Sequence, residues 1–394
     1  SKEAFGDFHG FVAGWTYWIY TFFYFPGLLL ASASMSAYIA GLHGAALAQQ
    51  RGFLLVVSLA ILAVAVVLNI IGLNIGKWLQ NAGGVGTYVP LLILAGVAIA
   101  VVLRRGTVTH FTLTSVMPTW NWGTVNFWSQ IAFAFTGLEL VSCMAEEVRD
   151  PRRNLPRAVF ASGALIALMY IAGTFAVLAL APAAGIDPES GVFHAIAIGS
   201  ATLKVGFIGV IAAVLVTAGN AGGVGSTVAG VARVPFQVGI DRYLPAVFGK
   251  IHPRWKTPWI SITIQAIISA GILLLSQISE TVSGAYQGLV SIAVILYFIP
   301  FLYMFAALIK LSTRPDRTTN PHAVLVPGGR AGIYICAGLG FVVVAVGIIC
   351  SLFPPGDTQN RALFIIKVVA ATIGCILIGL ALYWRGAREK QSAN

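Results

Sequence analysis

Ten long apolar segments, separated by short polar stretches, make up most of this chain. Each is about 20 residues or longer, the length that an α-helix needs to cross roughly 30 Å of hydrocarbon. Backbone polar groups have no water to bond inside a bilayer, so such segments are expected to be helices. The predicted spans are residues 9–41, 53–73, 78–103, 125–147, 156–181, 204–232, 258–276, 284–310, 331–353 and 362–384. The pattern therefore predicts a single all-α polytopic membrane domain over residues 1–394.

The composition agrees with a membrane location. The chain is 58% hydrophobic and only 9% charged, whereas soluble domains carry about 25% charged residues. A net charge of +11 is also compatible with nucleic-acid binding, but the basic residues lie in the connections between apolar segments, where they set orientation in a membrane. We therefore expect the lipid bilayer as the surroundings and no nucleic-acid partner.

The distribution of basic residues predicts the orientation. If the spans alternate in direction, 18 of the 24 Lys and Arg residues fall on the side of the two termini and six on the other. Cytoplasmic connections carry the excess of Lys and Arg in membrane proteins. Both termini of this chain are thus expected in the cytoplasm, and the short connections suit a cell membrane, either a plasma membrane or a bacterial inner membrane.

The histidines and cysteines give no sign of catalysis or of a bound metal. The six histidines lie almost entirely in connections or at span ends, and the four cysteines are scattered without a Cys-x-x-Cys spacing. Neither a His-Glu-x-x-His motif nor a nucleophile–histidine–acid arrangement is visible. We expect no cofactor, no metal site and no enzymatic activity.

A glycine and a carboxylate occur together inside the segment 125–147. Thr136 and Gly137 lie near its middle, and Glu139 follows. A charged side chain at the centre of a bilayer costs about 2.5 kcal/mol or more, so it faces a cavity or a partner. One interpretation is a broken helix whose free backbone groups bind a solute. The alternative is a packing glycine beside a structural glutamate.

Two other stretches contain candidate residues for a solute path. The run TAGNAGGVGSTVAG (217–230) suits close helix packing, but Asn220 within it is also a candidate. An aromatic run in the first span includes Tyr20 and Phe25. This run extends well beyond the membrane interface, where aromatic residues are common, so some of its rings are expected to face the interior.

Five stretches resemble the amino acid–polyamine–organocation (APC) permease family. They are FGDFHGFVAGWTYW (5–18), NIIGLNIGKWLQN (69–81), FAFTGLE (133–139), EEVRDPRRNLPRAV (146–159) and RVPFQVGIDRYLPAVFGKIHPRWKTP (233–258). Their order is that of the family, and the resemblance covers nearly the whole chain. It implies a LeuT-type helical bundle. By the resemblance, the chain begins at the family's third span, so the first two are expected to be absent and the bundle N-terminally incomplete, with ten visible transmembrane helices.

The resemblance also implies roles for single residues. Phe133 matches an aromatic gate, and Phe135, Thr136 and Gly137 match an unwound segment whose carbonyls receive the amino group of the substrate. Glu139 matches an acidic position in the half-helix that follows. Thr87 occupies a position where some members carry a lysine that takes part in proton coupling, which favours exchange over proton symport.

The function that these expectations imply is secondary transport of amino acids by alternating access, as a permease or an exchanger. The partners are then the amino acid and a coupled ion or exchanged amino acid. A polyamine or organic-cation carrier and a truncated, non-transporting relative remain as alternatives. A gating role is possible for the charged segment after the fourth span, which otherwise serves as a cytoplasmic anchor. Its candidate gating residues are Glu146, Arg149, Arg152 and Arg153.

Overall fold

The computed structural model describes the backbone of most of the chain. The described residues are 1–112, 117, 121–139, 150–182, 186, 190–231, 243–278, 281–313, 326, 328–356, 358 and 360–393. The regular structure in these ranges is helical. The α-helices are α1 (Lys2–Phe5), α2 (Asp7–Ala37), α3 (Gly44–Leu47), α4 (Arg51–Ile71), α5 (Leu73–Arg105), α6 (Val125–Ala134), α7 (Pro151–Leu180), α8 (Gly191–Thr202), α9 (Phe207–Val231), α10 (Trp259–Ser276), α11 (Val282–Ser312), α12 (Gly329–Ser351) and α13 (Arg361–Ala393).

Nine helical stretches among the described residues are long and apolar enough to cross a membrane. They fall in nine of the ten predicted segments, with ends that differ by a few residues. The first is longer than predicted, because α2 is followed by a 3₁₀ turn at Tyr38–His43, kinked at Gly41 (φ = +65°), and by the short α3 that ends at Leu47. The prediction of an all-helical membrane bundle is confirmed.

The tenth predicted segment, 125–147, is not one continuous helix in its described part. Helix α6 has ten residues, or about 15 Å at 1.5 Å per residue, roughly half the thickness of the hydrocarbon. The chain then leaves the helical conformation, and residues 140–149 lie outside the described part. The described part of this segment therefore agrees with the interpretation of a broken helix, and the extension of the segment to residue 147 stays a prediction.

Helix α8 was not predicted. Its 12 residues are apolar but too short to span a bilayer, so a search for long apolar segments passes over them. Phe193, Ala195 and Ile196 on this helix are buried in a cluster with residues of α5, α7 and α9, including Leu94, Val177 and Ala212. Helix α8 thus forms part of the packed bundle.

Two helix pairs make the most extensive contacts in the described bundle: α2 packs along α11, and α9 packs along α5. The second pair approaches through glycines. A Cβ on Gly219 would lie 2.7 Å from the carbonyl carbon of Gly86, and a Cβ on Gly86 would collide with the backbone of Leu215 and Gly219. Small residues allow such close contact in membranes, where van der Waals packing holds helices together. The packing interpretation of the glycine-rich run therefore agrees with the structure.

The starts of the long helices have ordinary local causes. Thr281 caps α11, since its side chain accepts a hydrogen bond from the Gly284 N–H at 2.9 Å, and it thereby satisfies one of the first free N–H groups of the helix. Helix α7 begins at Pro151, a residue favoured at this position because the missing N–H would have had no partner. These two helices flank the interruption that follows α6.

Candidate functional site

Helix α6 ends in a turn at which the backbone leaves the α-helical conformation. The Thr136 N–H donates to the Phe133 carbonyl at 3.0 Å, and the Thr136 hydroxyl donates to the same oxygen at 2.6 Å. At Gly137 the backbone has φ = +97°, a value that L-residues with a side chain rarely adopt. The last carbonyls of a helix have no partner within it. One of them, at Ala134, accepts a hydrogen bond from Tyr170 at 3.0 Å.

The Glu139 side chain turns back onto this interruption. Its Oε2 accepts the Gly137 N–H at 2.8 Å, and its Oε1 accepts the hydroxyl of Tyr17 at 3.3 Å and also that of Tyr297. Tyr17 belongs to α2 and Tyr297 to α11. One carboxylate therefore ties the broken helix to α2 and α11, and these donors reduce the cost of placing it in an apolar protein interior.

Aromatic rings surround this carboxylate. The Tyr297 ring centroid lies 4.3 Å from that of Tyr20, 5.5 Å from that of Tyr17 and 5.4 Å from that of Phe133. The Phe133 ring in turn meets Tyr24 at 6.0 Å. The faces of aromatic rings attract cations. Together with the carboxylate, these rings form surroundings that attract a positively charged group.

A buried amide holds the other end of α6 in place. The Asn126 amide nitrogen donates to the Phe353 carbonyl at 2.9 Å and to Ser291 at 3.2 Å, and its oxygen accepts from Gln130 at 2.7 Å. Asn126 is fully buried, so each of these bonds replaces one to water. This network fixes the half-helix against α11 and the end of α12. Sequence reasoning missed it, although Asn126 and Gln130 stand out as polar residues in an apolar segment.

The structure brings together four of the five residues predicted to bind substrate. Phe133, Thr136, Gly137 and Glu139 face the interruption or form it. Phe135 instead packs against Tyr170 at 5.4 Å between ring centroids and is 37% exposed. The predicted break at Thr136 and Gly137 is present in the backbone, whereas the binding of substrate by these residues stays a prediction.

The four residues predicted to line a path lie in different surroundings. Tyr20 is one of the aromatic residues around Glu139, and its ring packs against that of Tyr297. Phe25 is fully buried in a cluster with residues of α4, α9 and α10. The Thr87 hydroxyl donates to the Gly83 carbonyl of its own helix at 2.9 Å, and Asn220 donates to the sulfur of Met35 at 3.5 Å. The path-lining role of these residues stays a prediction.

The predicted gating segment falls mostly outside the described residues. This applies to Glu146, to Arg149 and to the side chain of Arg152. Arg153 is exposed, and its backbone N–H donates to the Asp150 carbonyl at 3.1 Å in the first turn of α7. Gating by these charges stays a prediction.

A sequence model described as amino acid permease matches residues 1–380. This chain belongs to the amino acid permease family. With its nine membrane-spanning helical stretches in the described part, it is a multi-pass membrane protein. The match begins at residue 1 and so lends no support to the expectation that two family spans are absent.

Individual relatives are transporters. An uncharacterised transporter of Legionella pneumophila is 25% identical over 390 residues, which cover 98% of this chain and 82% of that protein. A probable agmatine/putrescine antiporter of Lactococcus lactis is 21% identical over 375 residues, 95% of this chain and 78% of that protein. A D-serine/D-alanine/glycine transporter of Escherichia coli is 24% identical over 406 residues, 96% of this chain and 79% of that protein.

Proposed function

We propose that this protein is a secondary transporter that moves amino acids across a cell membrane by alternating access, with both termini of the chain in the cytoplasm. The observation that carries the proposal is the interruption after α6, where Gly137 and Glu139 meet Tyr17 and Tyr297. Broken helices expose backbone carbonyls and helix ends that bind charged groups of a solute in the middle of a membrane. The family and the names of the relatives support the same function.

The substrate amino group is the part that this site suits. The carbonyls at the end of α6 are acceptors, and Glu139 supplies a negative charge beside them. In this account Phe133 covers the bound substrate, because its ring lies beside Tyr24 and Tyr297. The bonds from Glu139 to α2 and α11 close one side of the site, and their opening is the movement that releases substrate.

Exchange is the form of transport that we favour. By the family resemblance, Thr87 stands where a coupling lysine occurs in some members, and its hydroxyl donates to a carbonyl of its own helix. A neutral residue at this position does not take up and release a proton. We expect uptake to accelerate when unlabelled substrate is present inside the vesicle and to respond little to a pH gradient.

A carrier for polyamines or other organic cations is the second candidate. It is favoured by the carboxylate at the site together with the aromatic rings around it, since both attract cations, and by the agmatine/putrescine antiporter among the relatives. Competition separates the two functions. Putrescine that inhibits amino acid uptake only weakly supports the amino acid carrier, whereas stronger inhibition by putrescine than by any amino acid supports the cation carrier.

The experiment that tests the proposal is uptake of labelled amino acids by the purified chain in liposomes. We expect saturable uptake that depends on Glu139, with Glu139→Gln reducing it while the protein remains folded and monodisperse. Uptake by Glu139→Gln that equals wild type would remove Glu139 from the site. Exposed Glu3 on α1 provides the matched control, because Glu3→Gln makes the same substitution at an exposed carboxylate.

A further inference from the structure

A cavity lies apart from the interruption, between the ends of three helices. It has a volume of about 450 Å³ and is lined by the end of α10, the start of α11 and the start of α13. Sites for small molecules typically measure about 300–1,000 Å³. The residues around Glu139 do not contribute to its walls, so this cavity is distinct from the proposed transport site.

The cavity is apolar inside and opens towards the lipid. Ile292, Phe364 and Val368 form part of its inner wall. At its mouth, Leu275 and Ile278 both line the cavity and are 66% and 76% exposed, so in a membrane they meet acyl chains. An apolar void of this size is a poor place for water, which needs several polar partners, and an empty void forfeits dispersion contacts. Hydrocarbon is the chemistry that fits it.

Polar and positively charged groups gather at one end of the same cavity. Lys367, Asn360 and Thr281 line it, and Lys367 lies about 9 Å along α13 from the first residue of the helix, at 1.5 Å per residue. A crevice that shares Thr281 with the cavity contains Arg51, whose Nη1 donates to the Gln277 carbonyl at 2.6 Å. Two cationic side chains therefore lie near this rim.

Within the part of the chain that the structure describes, Lys367 forms no ion pair. The salt bridge found there joins Lys2 and Asp7. Two carboxylates, Glu280 and Asp357, are close in sequence to rim residues but lie outside the described residues.

A buried donor lies deeper in the wall. Gln287 is 2% exposed and lines the cavity, and its amide nitrogen has no hydrogen-bond partner among the described atoms, whereas its amide oxygen accepts from Gln130 at 3.3 Å. Buried polar groups are normally satisfied. The ester carbonyls of a glycerolipid, which lie between its phosphate and its acyl chains, are acceptors of the kind this donor lacks.

We propose that this cavity is a binding site for an anionic phospholipid. One acyl chain fills the apolar part, an ester carbonyl accepts from Gln287, and the phosphate binds Lys367 and Asn360 at the mouth. Free phosphate would leave the apolar walls bare. A zwitterionic lipid offers the same acyl chain but cancels the charge that the rim attracts, so the site distinguishes lipids by headgroup.

The test is native mass spectrometry of the purified, delipidated chain, titrated with phosphatidylglycerol and with phosphatidylcholine of identical acyl chains. The filling variant is Gly288→Phe, because Gly288 lines the cavity and a Cβ there meets no atom within 4 Å. Gly374→Phe on α13 is its control, since a Cβ there also meets nothing within 4 Å and Gly374 is not part of the wall. Lys367→Gln removes the charge, with Lys204→Gln as control.

We expect one phosphatidylglycerol per chain, bound in preference to phosphatidylcholine. Gly288→Phe should abolish this binding, and Lys367→Gln should weaken it about fivefold, the contribution of one basic residue near anionic lipid. The two control variants should bind like wild type. Equal binding by all variants, or equal affinity for both lipids, would overturn the proposal. Displacement of the lipid by glycerol phosphate at equal concentration would show that the site takes the phosphate alone and would also overturn it.

Discussion

Substitution of Gly137 tests whether transport depends on the positive φ of this residue. Its φ of +97° is open to glycine, tolerated in part by asparagine, and strongly disfavoured for other residues. A Cβ at this position meets no atom within 4 Å. A small side chain therefore collides with nothing, and the effect of Gly137→Ala is confined to the strain of the backbone.

The magnitude follows from this strain. A non-glycine residue in a sparsely populated region of φ and ψ costs about 1–3 kcal/mol, and about 1.4 kcal/mol corresponds to a factor of ten in an equilibrium. The interrupted conformation should thus lose about 5- to 150-fold in population relative to conformations in which residue 137 has negative φ. The expected order of activity is Gly, then Asn, then Ala, with β-branched Val lowest.

The assay is the initial rate of amino acid uptake by proteoliposomes that contain equal amounts of each variant. Gly271→Ala in α10 is the control, because a Cβ there also has no neighbour within 4 Å and its φ is not in the positive range. We expect this control to transport like wild type. Size-exclusion profiles confirm that each variant is folded. Normal uptake by Gly137→Val would refute the assignment of the interruption as the transport site.

Three further changes test the contacts around the site and within the bundle. Tyr297→Phe should lower kcat/KM for uptake more than Tyr17→Phe, because a hydrogen bond to a charged group contributes about 1.5–3 kcal/mol and the Tyr17 bond is long at 3.3 Å. Gly86→Leu should lower the Tm in detergent through about 1–3 kcal/mol of overpacking, whereas Gly84→Leu, with open space at its Cβ, should not. Asn126→Ala should cost about 1–3 kcal/mol of stability, because it leaves buried partners unpaired, measured by thermal unfolding in detergent.

Each of these predictions has an outcome that contradicts it. Equal loss of uptake in the two tyrosine variants would mean that the carboxylate is held differently from the arrangement described. Equal melting temperatures for the two glycine variants would remove the close contact between α5 and α9. An alanine at Asn126 that leaves the Tm unchanged would show that the amide network contributes little to the position of α6.

The long helices were predictable for physical reasons. A bilayer imposes a minimum apolar length on any helix that crosses it, so the spans are visible as runs of apolar residues. The interruption was one of two interpretations that the sequence left open. A carboxylate such as Glu139 is costly in the middle of a span, whereas a glycine such as Gly137 suits either a break or close helix packing.

The partners of Glu139 were not predictable in the same way. Tyr17 and Tyr297 lie 122 and 158 residues away along the chain, and a hydrophobic pattern carries no information on which helices meet. Two tyrosines in apolar spans resemble many others in this aromatic-rich chain. Helix α8 escaped prediction for a different reason, since it packs on one side of the bundle without needing the length of a span.

The measurement that tests the central claim most directly is counterflow with the purified chain in liposomes loaded with unlabelled amino acid. The account predicts that labelled amino acid accumulates transiently inside, that this accumulation saturates, and that Gly137→Val abolishes it while Gly271→Ala does not. If folded protein produces no accumulation with any amino acid or with putrescine, then transport at the interruption after α6 is contradicted.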